Sequence, residues 1–364
     1  MLSTLNVKLV NGLGGDPAVY VQPSQSSDCI LFDAGSLETL SNKEILKIRV
    51  VAISHTHLDH FVGFDRLIRV NVPHFRTLEI IGPSGIIAHV RSKLQAYTWN
   101  LLDSGQLNFV VHEIDPLGHA TAVKLTNDNH FEPIPLNLYS TASVVSDLAV
   151  ETTVPLTTMG SLNIRAVCVD HGTPVLAFCL EMPSSHVVSK NAFNQLKLTP
   201  GPWISQLQKL AVLGNLNGQI DINGTKWDAQ DLANKILIPR PGERLMYVTD
   251  MIFRADNLAR LVNLAAGGVD LLICESNYIH HDREKAHKKF HLTSYQAALL
   301  ATAINAKALQ VFHISNIYSD NFSIAEEEAA QSLAALKLCD LRELNLRLSK
   351  ECAQLPQTAV SLAT

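Results

Sequence analysis

Val50-Val51-Ala52-Ile53-Ser54-His55-Thr56-His57-Leu58-Asp59-His60 is the stretch on which the fold turns. Val50 to Ile53 are apolar and rich in β-branched side chains, the pattern of a buried strand. Three imidazoles and one carboxylate follow at once. A strand end is rigid, and a loop leaving it can wrap its side chains around one point. Imidazole and carboxylate are the ligands expected of zinc or a similar divalent ion. His55, His57, Asp59 and His60 are too many for one open catalytic ion, so the spacing points to two ions side by side. The bland alternative is a histidine-rich surface loop. With 15 histidines in 364 residues, chance clustering of three beside an aspartate is rare. Downstream, Phe61, Phe64, Leu67 and Ile68 recur at helical spacing, which predicts a helix from about Asp59 or His60.

Two ions need further ligands, and these should also follow strands. Three candidates do. His171 follows an apolar run at Leu162–Val169, Asp250 one at Leu245–Val248, and His313 one at Leu309–Phe312. Other strand-like runs are Leu5–Val10, Cys29–Phe32, Leu78–Ile81, Asn108–His112, Ala120–Leu125, Val175–Leu180 and Leu271–Cys274. Helical patterns cover Ile86 to Leu102, Leu258–Ala266, Ser294–Ile304 and Ile324–Leu336. The βα rhythm at both ends of the chain flanks a β-rich middle. It predicts an α/β fold: two mixed sheets face to face, helices outside, a four-layer αββα sandwich with the metals at one edge. One domain over 1–364 is expected, with a small accessory module inserted at about 183–237 and a frayed tail beyond Pro356.

Composition narrows the class. Hydrophobic residues make up 47 % and charged residues 17 %, which excludes a disordered chain. The net charge of -5 argues against a general nucleic-acid binder, although a local basic patch can still bind phosphate. The N-terminus lacks a signal-peptide pattern and no apolar stretch is long enough to span a membrane. The six cysteines form no C-x-x-C pair, and several sit in apolar runs as free buried thiols. A cytoplasmic protein is expected. Gly12-Leu13-Gly14-Gly15 lacks dinucleotide-site spacing and reads as a loop lining the metal site or as a simple turn.

The order of motifs carries a resemblance. Phe32-Asp33-Ala34-Gly35, the His55–His60 cluster, His171, Leu198-Thr199-Pro200-Gly201-Pro202, Asp250, Glu275-Ser276-Asn277, His291-Leu292-Thr293-Ser294 and His313-Ile314-Ser315-Asn316-Ile317-Tyr318 follow one another. In this sequence the chain resembles ribonuclease Z, the tRNA 3′-processing endonuclease of the metallo-β-lactamase fold. The resemblance implies that His55, His57 and His171 bind one zinc, that Asp59, His60 and His313 bind a second, and that Asp250 bridges them. It implies that Asp59 also takes the proton of the attacking water. Glu275 and His291 would form a relay in which His291 protonates the leaving oxygen. The chain departs from the family pattern at Leu58, where a glycine is usual, at Val248-Thr249-Asp250-Met251, at Gly172-Thr173-Pro174 and at Cys274.

The resemblance makes the chain a metal-dependent phosphodiester hydrolase using two divalent ions, with Zn2+ fitting best, and precursor tRNA as its substrate and partner. Three alternatives stay open: a phosphodiesterase acting on cyclic nucleotides or other small diesters, a thioester, lactone or sulfate-ester hydrolase, and a non-catalytic binding protein on the same scaffold. A homodimer is also left open, and no membrane partner is expected. In the accessory segment Lys190, Lys197, Lys209, Lys226 and Lys235 are offset by Asp221, Asp228 and Asp231, so a phosphate-tracking arm should be more basic. A denser basic run, His280-His281-Asp282-Arg283-Glu284-Lys285-Ala286-His287-Lys288-Lys289, could meet a phosphate near His291 or could be a solvated face.

Overall fold

The computed structural model describes residues 2, 4–24, 26–139, 151–159 and 162–353. The tail beyond Pro356 lies outside them. The chain opens with three antiparallel strands, β1 (Leu5–Leu9), β2 (Val19–Pro23) and β3 (Cys29–Phe32). Strand β3 pairs in parallel with β4 (Ile48–Ala52), which leads on in parallel to β5 (Arg76–Pro83) and β6 (Leu107–Ile114). Parallel strands need crossovers, and helices α1 (Asn42–Ile45), α2 (Leu58–Phe61), α3 (Phe64–Asn71) and α4 (Ile86–Gln95) supply them. Two antiparallel strands, β7 (Ala120–Thr126) and β8 (Ile134–Leu136), complete an eight-stranded sheet in chain order.

The second sheet begins with β9 (Thr152–Val154), β10 (Asn163–Asp170) and β11 (Pro174–Glu181). The chain then leaves it for a separate compact unit, Glu181–Glu243. That unit holds β12 (Ser185–Val188), α5 (Lys190–Gln195), α6 (Trp203–Val212), the hairpin β13 (Gln219–Ile222) and β14 (Thr225–Asp228), α7 (Ala229–Ile236) and β15 (Leu237–Arg240). Its own core gathers Trp203, Leu207, Ile220, Leu232 and Ile236. The unit is wider than the 183–237 expected from sequence because β12 pairs with β15, and Met182 N donates to Glu243 O at 2.9 Å beyond them.

Back in the second sheet come β16 (Arg244–Val248), β17 (Val269–Glu275) and β18 (Ala306–Phe312), mutually parallel. Helices α8 (Ala255–Leu264), α9 (Arg283–Lys288), α10 (Ser294–Ala303), α11 (Ser323–Leu336) and α12 (Leu341–Ala353) accompany them. The sheet order is β18-β17-β16-β11-β10-β9. Period-two alternation makes each sheet two-faced. Met246, Val248, Leu272 and Cys274 pack under Leu261, Leu264, Leu299 and Leu300 of α8 and α10. On the opposite face Tyr247 stacks on Phe32 of β3 at 5.3 Å, and Phe178 of β11 meets the same ring at 5.9 Å. Leu31, Val51 and Ile80 turn the other way, toward Phe64, Leu67, Val90 and Leu94 of α3 and α4. The result is helix, sheet, sheet, helix, the four-layer αββα sandwich.

Several element ends differ from the sequence reading for local reasons. The helix expected from Asp59 is two helices, α2 and α3, broken at Gly63. A Cβ there would lie 2.0 Å from Gly35 O and 2.7 Å from Leu37 Cγ, so only glycine lets the chain pass this close. The helix expected to reach Leu102 stops at Gln95, where Trp99 Nε1 turns back to donate to Leu94 O. Strand β2 and helix α12 carry no clean periodicity and go unread. No helix among the described residues is long and apolar enough to cross a membrane.

Candidate metal centre

Every residue singled out for metal chemistry leaves the end of a strand. His55 follows β4, and His57, Asp59 and His60 lie at the start of α2. His171 follows β10, Asp250 follows β16, Glu275 ends β17, and His313 follows β18. His291 immediately precedes the first turn of α10, whose Thr293–Gln296 capping box fixes where that helix begins.

The structure brings these side chains together around Asp250, which is 2 % exposed. Its Oδ2 lies 3.7 Å from His55 Nε2, 3.4 Å from His60 Nε2 and 3.4 Å from His171 Nε2. Its Oδ1 lies 2.8 Å from His313 Nδ1. Asp59 Oδ2 sits 3.6 Å from His60 Nε2 and 3.4 Å from His313 Nε2. His57 joins by ring contacts with His55 at 4.3 Å and His171 at 5.3 Å. Three sets thus have their donor atoms within reach of a common ion: His55, His57, His171 and Asp250; Asp59, His60 and His313; and Asp250, Glu275, His291 and His313.

The chemistry of the site fits divalent cations. His55 Nε2 and His60 Nε2 are buried without a well-aligned hydrogen bond among the described residues, and a buried nitrogen left so is costly unless something else takes its lone pair. The electrostatics also call for positive charge. Burial opposes protonation of His313, yet the Asp250 carboxylate pushes it up to about 10. Burial likewise opposes a proton on His60, but Asp250 and Asp33 raise it well above the ordinary histidine value. His55, desolvated and beside His60, is pushed down to about 2, leaving a neutral imidazole. Asp59 is held at about 2; burial opposes its charge, but His313 and His60 outweigh it.

Residues outside the ligand set orient the ligands. His60 Nδ1 lies 2.8 Å from Asp33 Oδ2, which fixes the ring with Nε2 toward Asp250. Asp33 also accepts from Ser54 N, Ser54 Oγ and, across the sandwich, Tyr247 Oη at 2.6, 2.7 and 2.7 Å. His171 Nδ1 donates to Phe290 O at 2.7 Å. Asp33, Asp250, His313 and Phe290 all have positive φ, at 55°, 33°, 54° and 59°. Non-glycine residues rarely sit there, and such backbone concentrates at functional sites. Sequence reasoning quotes Asp33 within a motif but assigns it no role, and it passes over Ser54, Tyr247 and Phe290. The only available signal was an aspartate at a strand end followed by Ala-Gly.

Glu275 and His291 stand beside the ligand groups. His291 Nδ1 lies 2.8 Å from Glu275 Oε2 and 4.0 Å from Asp250 Oδ1. Glu275, fully buried, also accepts from Met251 N at 2.9 Å and Leu292 N at 3.2 Å, so its position is set by backbone. Burial lowers the proton affinity of His291, and Glu275 more than restores it, so the net shift is upward. The Gly12–Gly15 loop reaches this neighbourhood too: Ile314 N, next to His313, donates to Leu13 O at 2.9 Å.

Comparison with known proteins follows the same lines. No family model matches the chain. It is 30 % identical over 295 residues to a ribonuclease Z of Deinococcus radiodurans, covering 80 % of this chain and 83 % of that protein. A ribonuclease Z of Prochlorococcus marinus strain MIT 9301 is 25 % identical over 314 residues, 84 % of each chain. Among solved structures, unliganded yeast PDE1 shares the fold with a TM-score of 0.50 at 10 % identity, over 95 % of this chain and 96 % of that one. With the αββα sandwich, the strand-end histidines and an alignment spanning most of both sequences in place, the chain belongs to the ribonuclease Z family of the metallo-β-lactamase superfamily.

Proposed function

We propose that this chain is an endoribonuclease that hydrolyses precursor tRNA at its 3′ side, with two divalent ions, zinc by preference, held at the strand ends. The observation that carries the reading is the convergence of six donor residues around Asp250, with the Glu275–His291 pair immediately beside them. His55, His57 and His171 would hold one ion and Asp59, His60 and His313 the other, with Asp250 within reach of both sets. Two such cations lower the pKa of a water and offset charge on a phosphoryl group.

The side chains supply the rest. Asp59, half-buried and ionised, takes the proton of the attacking water. His291 keeps its proton because Glu275 faces it at 2.8 Å, and gives it to the leaving ribose oxygen. Glu275 is fixed by Met251 N and Leu292 N, so the imidazole keeps one orientation.

The test compares turnover of a precursor tRNA with that of a small phosphodiester, using metal-loaded protein. The expected result is cleavage at the 3′ side of the tRNA with two bound ions per chain. Efficient turnover of small diesters with none of the tRNA would assign the chain to small-molecule phosphodiester chemistry instead. Full activity with one ion or none would remove the dimetal reading.

A further inference from the structure

The accessory unit is a poor source of phosphate contacts. Over Glu181–Glu243 its five lysines and Arg240 meet three aspartates, Glu181 and Glu243, a net charge of only +1, and Lys235 is already paired with Asp231 at 2.7 Å. A different surface, directly joined to the metal centre, has unbalanced positive charge. Helix α9 and its flanks contain Arg283, Lys285, Lys288 and Lys289 against Asp282 and Glu284. Asp282 is taken up by Lys285 Nζ at 2.8 Å and by Tyr318 Oη. Arg283, Lys288 and Lys289 are exposed and have no carboxylate partner among the described residues.

The ridge is also fixed in place. Ala286 buries its side chain beneath the helix, and His280 N donates to Glu328 Oε2 at 2.8 Å. Its C-terminal end turns straight into the site. Phe290 N donates to His287 O at 3.1 Å, and His291 N donates to Ala286 O at 2.9 Å. Between them Phe290, at φ 59°, bends the chain and offers its carbonyl to His171. Lys288 and Lys289 therefore precede His291 by a backbone span of at most about 10 Å. Nucleic-acid phosphates repeat every few ångströms along a strand, roughly 3.4 Å of axis each in a duplex. With one phosphate at Asp250 and His291, its neighbours fall within reach of lysine side chains on this ridge.

We infer that Arg283, Lys288 and Lys289 form the surface that holds the RNA phosphates next to the scissile one. The inference rests on the reading of the chain as an RNA hydrolase. A local cationic ridge on an acidic protein concentrates the strand where it is cut, and its contribution is sequence-independent and salt-sensitive.

The test uses the full-length, metal-loaded protein carrying Arg283→Gln, Lys288→Gln and Lys289→Gln together. Affinity and kcat/KM for precursor tRNA are measured from about 50 to 200 mM salt, alongside bis(p-nitrophenyl) phosphate turnover and metal content. The slope of log Kd against log salt should fall by about 2 to 3. At low salt kcat/KM for the tRNA should fall about 10- to 100-fold, while small-diester turnover and metal content match wild type. A second variant, Lys190→Gln with Lys197→Gln and Lys209→Gln, should keep the wild-type slope. An unchanged slope in the ridge variant, a loss confined to the accessory variant, or an equal loss on the small diester would overturn the inference. Wild-type protein that cleaves small diesters but neither binds nor cuts the tRNA would overturn the functional reading itself.

Discussion

His291 is where single-residue chemistry can be separated from metal binding. Its Nδ1 is engaged by Glu275, so although its ring also clusters with Asp250, Glu275 and His313, we read it as a proton donor and not as a ligand. His291→Ala should therefore leave the metal content of the purified protein unchanged. Turnover of a substrate with a ribose leaving group should fall by roughly a hundredfold or more, the scale of lost general acid catalysis. A nitrophenolate ester, whose leaving group departs without a proton, should be only slightly affected. Loss of metal, or equal slowing of both substrates, would make His291 a ligand or a structural residue. At this scale the sequence was most legible where an apolar strand ends directly on a histidine or aspartate, as at His55, His171, Asp250 and His313. It was least legible where the decisive contact is a carbonyl or crosses the sandwich. Phe290 O and the Tyr247–Asp33 hydrogen bond leave no trace in local residue pattern.

Among the elements, β5 and β6 carry a buried hydrogen-bonded pair away from the metal centre. Glu79 on β5 and His112 on β6 are both fully buried and 2.9 Å apart. Glu79 also accepts from the backbone and hydroxyls of Thr157 and Thr158, and Tyr139 Oη meets His112 Nδ1 at 2.8 Å. Burial opposes the charge on Glu79, but His112 and the threonines outweigh it and hold its pKa below the ordinary glutamate value. A carboxyl with a depressed folded-state pKa contributes stability above its unfolded value, about 4.3. That contribution is lost as pH falls through the folded value. Glu79→Gln should cost about 1.5–3 kcal/mol at neutral pH, the range for hydrogen bonds to a charged group. Denaturant titrations at several pH values should show the gap to wild type narrowing below about pH 4. A constant gap across pH would mean that shape, and not charge, holds Glu79 in place. The strand runs around these residues were readable because apolar and β-branched side chains dominate them. The split of α2 from α3 was not, because it depends on how closely Gly63 passes Gly35, a contact between segments.

For the whole molecule, the donors come from both sheets: the His55–His60 segment from the first, and His171, Asp250 and His313 from the second. Bound ions should therefore hold the two sheets together at this edge. A ligand present at 100 times its Kd stabilises the folded state by about 2.7 kcal/mol. Chelation should lower the melting temperature by several degrees, and restoring zinc should reverse it. A His60→Ala protein should melt low and respond weakly to chelator. An unchanged melting temperature on metal removal would mean that the sandwich is closed by its apolar contacts alone. The layered architecture itself was legible from the alternation of strands and helices. The width of the Glu181–Glu243 unit was not, because its stem is a pairing between segments some fifty residues apart. The same arrangement sets an order of events during synthesis. The histidine cluster leaves the ribosome first, but the donors it needs arrive piecemeal, and His313 arrives last, 253 residues after His60. Domains fold as units while the chain is still being made, so a nascent chain carrying the complete His55–His60 motif still lacks the other half of its centre. On this reading a centre drawn from both sheets can close only after His313 has been made, and fragments ending before it should bind fewer ions.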